Sequence, residues 1–203
     1  MVADGPDGNA KRYPIHSVVG VTPLQQYLVE TEPGRLQALD VAWDTEQSRW
    51  YHLYPAEDTS AGNGLHWSGS YKNWNARCAE CHATDFKKNY EPREDRYRST
   101  QAETGVGCEA CHGPGEAHVV WANEPDSFDP AKWLEADLKG LTGANKNGDA
   151  ASQINLCAAC HSRREQFGAD SPPPGADFAD HYRLALLRDG LYFSDGQIHD
   201  EVY

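Results

Sequence analysis

The chain has 203 residues, of which 39% are hydrophobic, and its formal net charge at pH 7 is -13. An acidic balance of this size excludes a nucleic-acid partner, because such a partner requires a basic protein surface. No stretch approaches the ~18 consecutive apolar residues of a membrane span, so the sequence predicts no transmembrane helix.

The first part of the chain predicts β structure. Residues 1–12 are polar and are expected to form a loose N-terminal segment before a single domain over residues 13–203. Within residues 17–54, alternating apolar side chains such as Leu39, Val41 and Trp43 predict a small antiparallel meander. Its three strands are expected at residues 25–31, 35–43 and 50–54.

The second part, residues 65–203, predicts short helices separated by loops. Charged residues 87–98 read as a solvated surface segment. Asp129 and Pro130 are typical of a helix start, and that helix should end near Gly140. The other helices are expected at residues 117–123, from about Ser152 into the last cysteine pair, and at residues 178–188, with Leu184, Leu186 and Leu187 partly inward and Gly190 closing the helix.

One pentapeptide pattern, C-x-x-C-H, occurs three times and contains all six cysteines of the chain. The copies are Cys78–His82, Cys108–His112 and Cys157–His161. This pattern is the attachment site of c-type haem: two thiols bind the porphyrin, and the following histidine binds the iron. The sequence therefore predicts three covalent haems, held by Cys78, Cys81, Cys108, Cys111, Cys157 and Cys160, with His82, His112 and His161 as iron ligands.

Other uses of these cysteines explain the pattern less well. A zinc ribbon would pair two C-x-x-C units and would need no histidine after each pair. A redox dithiol would use one motif in a βαβ setting, and a disulfide framework gives no reason for the histidines. Zinc binding stays as the alternative cofactor.

Composition supports a fold that is built around cofactors. The chain has 18 Gly and 12 Pro, a single Met, and a mean hydropathy of -0.74, so its own apolar core should be small. Three porphyrins would supply the missing apolar surface. We therefore predict an α+β multihaem cytochrome c with little regular secondary structure, in which the meander and short helices pack around three haems.

The second axial ligand of each iron should be histidine. Methionine ligation raises the haem potential, but the only methionine is Met1, in the polar N-terminal segment. Six histidines lie outside the motifs, which is enough for two histidines at every iron. The preferred candidates are His118, which follows the second motif closely, then His66, His52 and His181; His16 and His199 lie near the termini and rank lowest.

Two arginines directly after the third motif are further candidates for tuning a haem. Arg163 and Arg164 either pair with haem propionates or are simply solvated, and the sequence leaves both interpretations open.

Several segments outside the motifs resemble a known family. The matching stretches are residues 20–28, 35–39, 50–55, 65–67, 108–118 and 195–197. They resemble the periplasmic multihaem c-type cytochromes whose members often carry tetratricopeptide repeats after the haem region. The resemblance implies closely packed haems with two histidine ligands, like those of carriers in nitrogen and sulfur redox metabolism. Relatives have a further motif before this stretch and continue past Tyr203, so we expect a fragment or a minimal version, to which a neighbouring subunit could supply a distal ligand.

Three functions follow as hypotheses. The preferred one is electron transfer by low-potential haems, because no catalytic constellation is visible. The second is a reductase or oxidase of a small nitrogen or sulfur oxyanion, which would need one open haem. The third is a subunit of an extracellular cytochrome polymer.

Location and partners follow from the cofactor and the charge. Because c-type haem is attached outside the bacterial cytoplasm, we expect a periplasmic or extracellular protein whose leader has been removed. The negative charge either steers the protein towards basic patches on redox partner proteins or further cytochrome subunits, or serves solubility alone, and the sequence leaves both interpretations open.

Overall fold

The structure is a computed structural model that describes residues 1–126, 129, 131, 139–141 and 150–197. It contains both helices and strands, as the α+β prediction requires. The chain divides into two compact units: residues 1–79 with 88–99, and residues 80–87 with 100–203. Among the described residues, no helix is long and apolar enough to cross a membrane.

A four-stranded antiparallel sheet forms the centre of the first unit. Its strands follow one another in chain order: β3 (Ile15–Val19), β4 (Leu24–Glu32), β5 (Arg35–Asp44) and β6 (Arg49–His52). The predicted meander is confirmed as β4 to β6, and β3 adds a strand at its edge. The sheet packs well because Val29 and Leu39 are almost fully buried and, with Trp67, form the hydrophobic core.

The N-terminal segment is not loose, so this part of the prediction is wrong. Strand β1 (Val2–Asp4) pairs with β2 (Ala10–Arg12), and Met1 packs against the hydrophobic core. The carbonyl oxygen of Asp4 accepts a hydrogen bond from the indole nitrogen of Trp67 at 2.8 Å. A polar composition concealed this hairpin, because it is held by backbone pairing and by two apolar side chains, those of Met1 and Ala3, that pack against the core.

Short elements complete the first unit. A 3₁₀ turn (Ser70–Lys72) leads into α1 (Trp74–Arg77), whose N-cap Asn73 accepts a hydrogen bond from the Ala76 amide. The charged segment at residues 87–98 contains a hairpin, in which β8 (Tyr90–Glu91) pairs with β9 (Arg96–Tyr97).

Among the described residues, the second unit contains the other helices and two pairs of short antiparallel strands. The helices are α2 (Ala79–His82, whose first residue belongs to the first unit), α3 (Glu109–His112), α4 (Glu116–Asn123), α5 (Ala150–Ala158) and α6 (Phe178–His181). The strands are β7 (Ala83–Thr84), β10 (Glu103–Thr104), β11 (Arg164–Gln166) and β12 (Tyr182–Leu184). The helices predicted over residues 117–123 and from about Ser152 are confirmed as α4 and α5.

The predicted last helix is too long. Helix α6 ends at His181, and Tyr182 turns into an extended conformation that begins β12. The switch has a physical reason: β12 pairs with β11, and the buried Tyr182 side chain hydrogen-bonds Glu80. Of the leucines expected to face inward, Leu184, Leu186 and Leu187 are all exposed.

Two predictions fall largely or wholly outside the described residues. The helix expected from Asp129 to Gly140 covers residue 130 and residues 132–138, which are not described. His199 also lies outside the described part of the chain.

Candidate haem-attachment sites

The second and third motifs each form one turn of helix. The amide of His112 donates to the carbonyl of Cys108 at 2.9 Å, and the amide of His161 donates to that of Cys157 at 2.9 Å. These i to i+4 bonds fix the helical turn, which places the two cysteines and the histidine of each motif on neighbouring positions of one helix face. In the first motif, Cys78 is the C-cap of α1 and the remaining four residues form α2.

All six cysteines are free thiols in this structure. Those of the second and third motifs are exposed, and those of the first are partly buried. Burial raises the pKa of the Cys78 thiol to about 11, although Lys72 and Arg77 oppose the change.

The donor set fits c-type haem. Each motif offers two thiols outside any disulfide and an imidazole from one short segment, which is the set that attaches a porphyrin and binds its iron. Many large apolar side chains of the second unit are also exposed. Such a surface could pack against the flat apolar faces of porphyrins. They are Val106, Val119, Val120, Ile154, Phe167, Leu184, Leu186, Leu187 and Phe193.

His118 is oriented by its neighbours for binding through Nε2. Its Nδ1 lies 3.1 Å from the carbonyl oxygen of Lys139, and its ring stacks on Trp121 with centroids 5.4 Å apart. A carbonyl only accepts, so Nδ1 carries the proton and Nε2 keeps its lone pair. Gly140 allows this approach, since a Cβ there would collide with the backbone of Ala117 and His118.

His52 and His66 hold the opposite tautomer. The amide of Tyr54 donates to His52 Nδ1 at 3.0 Å. The amide of Ser68 donates to His66 Nδ1 at 3.3 Å, while His66 Nε2 lies 3.3 Å from Asp4 Oδ2. In both neutral rings Nε2 therefore carries the proton, and His66 is almost fully buried.

The remaining histidines have simpler surroundings. His181 ends α6 and is partly buried, and the Nδ1 of the exposed His16 lies 3.1 Å from the hydroxyl of Ser17.

The first and third motifs approach each other within the second unit, which the sequence did not reveal. Cys81 Sγ lies 4.0 Å from the carbonyl oxygens of both Ala159 and Cys160. The two thiols also interact: a hydrogen bond from Cys81 lowers the pKa of the Cys160 thiol to about 7 and raises that of Cys81.

Arg164 is not solvated, because its side chain is buried against Glu80 of the first motif. Its guanidinium lies 3.0 Å from Glu80 Oε2, and its side chain is only 8% exposed. Of the two sequence interpretations of Arg164, the solvated one is wrong.

Comparison with known proteins gives two matches. The sequence model of the cytochrome c554 and c-prime family matches residues 42–113, which include the first two motifs. The crystal structure of the outer cell wall cytochrome OcwA is similar to this chain, with a TM-score of 0.53 and 19% identity. That similarity covers 86% of this chain and 34% of the OcwA chain, so this chain spans about a third of the length of its structural relative.

These matches support a multihaem c-type cytochrome family for the chain. No curated protein matches it. The family resemblance expected from the sequence is thus confirmed at the level of multihaem c-type cytochromes. Such cytochromes carry covalent haem, and electron transfer is their general function.

Proposed function

We propose that this multihaem cytochrome carries three c-type haems and transfers electrons through low-potential irons, most of them with two histidine ligands. The observation that carries the proposal is the three-fold occurrence of a Cys-x-x-Cys-His segment, with six free thiols and no cysteine left over. When bound, each haem supplies a one-electron iron couple.

The residues of the chain have distinct roles in this proposal. The paired cysteines anchor each macrocycle, and His82, His112 and His161 bind the irons from the proximal side. His118 is the first distal candidate, because the Lys139 carbonyl holds its ring with Nε2 available. His181 stays a candidate, while His52 and His66 would have to exchange their present hydrogen bonds and tautomer before Nε2 could bind iron.

Those engaged histidines favour one second candidate function. If His52 and His66 keep their hydrogen bonds, fewer rings are available for distal ligation, and one iron would keep an open face. The chain would then act as a reductase or oxidase of a small nitrogen or sulfur oxyanion, with nearby polar side chains binding the substrate.

Location and partners are part of the same proposal. We place the protein in the periplasm or outside the cell, exchanging electrons with partner cytochromes or other redox proteins. The charge of -13 supports steering towards basic partner surfaces, and such steering should weaken as ionic strength rises.

Haem counting tests the cofactor, and magnetic resonance tests the ligands. Pyridine haemochrome analysis with intact mass should give three c-type haems per chain, and C157S/C160S should give two. Low-temperature EPR of the oxidised protein should show only low-spin ferric iron. Zinc without haem would refute the proposal, whereas a stoichiometric high-spin species that responds to nitrite or cyanide would select the enzymatic alternative.

A further inference from the structure

A buried polar cluster joins the first motif to the third. It consists of Glu80, Arg164 and Tyr182, and all three residues lie in the second unit. Arg164 Nη1 donates to Glu80 Oε2 at 3.0 Å, and the Tyr182 hydroxyl donates to Glu80 Oε1 at 2.8 Å. Both carboxylate oxygens of Glu80, a residue inside the first motif, are therefore bound.

The same arginine also binds the third motif. Arg164 Nε and Nη2 both donate to the carbonyl oxygen of Ala159, at 2.9 and 2.5 Å, and Ala159 lies between Cys157 and Cys160. Arg164 Nη2 also lies 3.6 Å from Cys81 Sγ, and its guanidinium carbon lies 4.3 Å from the centre of the Tyr182 ring. One guanidinium thus contacts the backbone of one motif and the side chains of the other.

Burial indicates positioning as the role of the cluster. The side chains of Arg164 and Glu80 are 8% and 15% exposed, and Tyr182 is buried. A buried ion pair adds little net stability over apolar packing, because both charges lose their hydration. The guanidinium of Arg164, however, is planar and carries a fork of N–H donors, which fixes the directions of its hydrogen bonds. The arginine can therefore define how the two motifs lie against each other.

We propose that Glu80, Arg164 and Tyr182 are positioning residues that hold the first and third motifs side by side, so that the haems attached there exchange electrons directly. The proposal rests on the proposed triheme function. It is supported by the position of Cys81 Sγ, 4.0 Å from the carbonyl oxygen of Cys160, because these two cysteines would anchor different haems. The second motif is not needed for this exchange.

Arginine variants of the intact protein test the geometry. Two closely spaced haems produce an exciton couplet in Soret circular dichroism, and its amplitude depends on their mutual orientation. We expect R164Q and R164K both to reduce the couplet, since lysine keeps the charge but cannot form the fork. Y182F, which removes only the hydroxyl donor to Glu80, should reduce it less.

A matched control separates position from charge. Arg183 lies on the same strand as Tyr182 and pairs with Glu165, but both side chains are well exposed. R183Q removes the same charge and should leave the couplet unchanged. A wild-type couplet in both R164K and Y182F, each with three haems, would overturn the proposal even if R164Q failed to accumulate.

Removal of single haems tests which pair is coupled. C108A/C111A should keep the couplet, and C157A/C160A should lose it. The opposite pattern, or a wild-type protein with three haems and no couplet, would refute the pairing of the first and third motifs. A wild-type protein without three haems would instead refute the proposed function itself.

Discussion

At the scale of single residues, the ring nitrogens of the histidines separate candidate ligands that look alike in the sequence. His118 donates from Nδ1 to a carbonyl, whereas His52 and His66 accept at Nδ1 from backbone amides. A ligand histidine usually has its second nitrogen held by such an acceptor. Only His118 of these three has the arrangement of a ligand that binds through Nε2.

Replacement of His118 should open one iron. We expect H118A to convert one of three low-spin irons to a high-spin species, because the iron loses its sixth ligand. Low-temperature EPR of the oxidised protein would measure the conversion. H16A serves as the control, since His16 is exposed and bonded to a neighbouring serine. Unchanged low-spin spectra in H118A would show that another residue ligates the iron.

The buried ion pair of the first unit provides a stability test. Lys72 Nζ lies 3.4 Å from Asp40 Oδ1, both side chains are 6% exposed, and the ammonium lies 3.3 Å from the centre of the Tyr54 ring. K72M would leave the Asp40 carboxylate buried and unpaired. We expect it to lower the free energy of unfolding by about 3–5 kcal/mol at pH 7, measured by urea denaturation.

The pH dependence of that loss identifies its cause. Burial raises the pKa of Asp40 even in the presence of Lys72, so the folded state holds this proton more tightly than the unfolded state. A raised carboxyl pKa contributes stability below the unfolded value of about 4, and this contribution is lost as pH rises through the folded pKa. The decrease in the free energy of unfolding that K72M causes should therefore shrink as the pH falls towards 4. A loss that is equal at both pH values would point to packing instead, and K11M, in an exposed pair, should change little.

At the scale of elements, the β4–β5 hairpin depends on a turn that only glycine fits. Gly34 has a φ of +79°, and a Cβ on it would collide with the carbonyl oxygen of Tyr97. Gly62 has a similar φ of +89° but open space around the corresponding position. A comparison of substitutions at the two glycines therefore separates the cost of backbone strain from the cost of steric collision.

Alanine at each glycine should give different losses. G62A should cost about 1–2 kcal/mol, because a left-handed conformation is unfavourable with a side chain. G34A should cost more, since the Tyr97 backbone must also move. Thermal or urea unfolding measures both variants, and equal losses would show that the collision is relieved without strain.

The end of helix α6 shows how pairing overrides local preference. A run of leucines predicts helix to residue 188, but Tyr182 leaves the helix to pair its strand with β11 and to reach Glu80. The partners of that strand are about 20 and 100 residues away in sequence, so no local pattern could have indicated the switch.

At the scale of the whole molecule, the two units differ in how they bury apolar surface. Of the buried hydrophobic residues that the structure describes, most belong to the first unit, and the second contributes Ala83, Phe86, Ala117 and Tyr182. The second unit, which contains the second and third motifs, thus has fewer buried apolar side chains of its own among these residues. Its stability should therefore depend on the attached haems far more than that of the first unit.

Protein made without haem attachment tests this difference. Hydrogen exchange with mass spectrometry should show slow exchange at β4 and β5, because their core does not involve the motifs. We expect α3, α5 and the β11–β12 pair to exchange fast in that form and slowly in the haem-loaded protein. Equal protection of both units without haem would contradict the prediction.

The sequence by itself predicted the class of cofactor and the elements that follow from a local pattern. Thiol and imidazole spacing within five residues is a local property, and so is the alternation that predicts β4 to β6. The tertiary structure decided what depends on distant residues: the packing of the N-terminal hairpin against Trp67, the orientation of His118 by the Lys139 carbonyl, and the contact of the first motif with the third through Glu80, Arg164 and Tyr182. These depend on partners far apart in sequence, which are brought together only when backbone pairing and burial fix the fold.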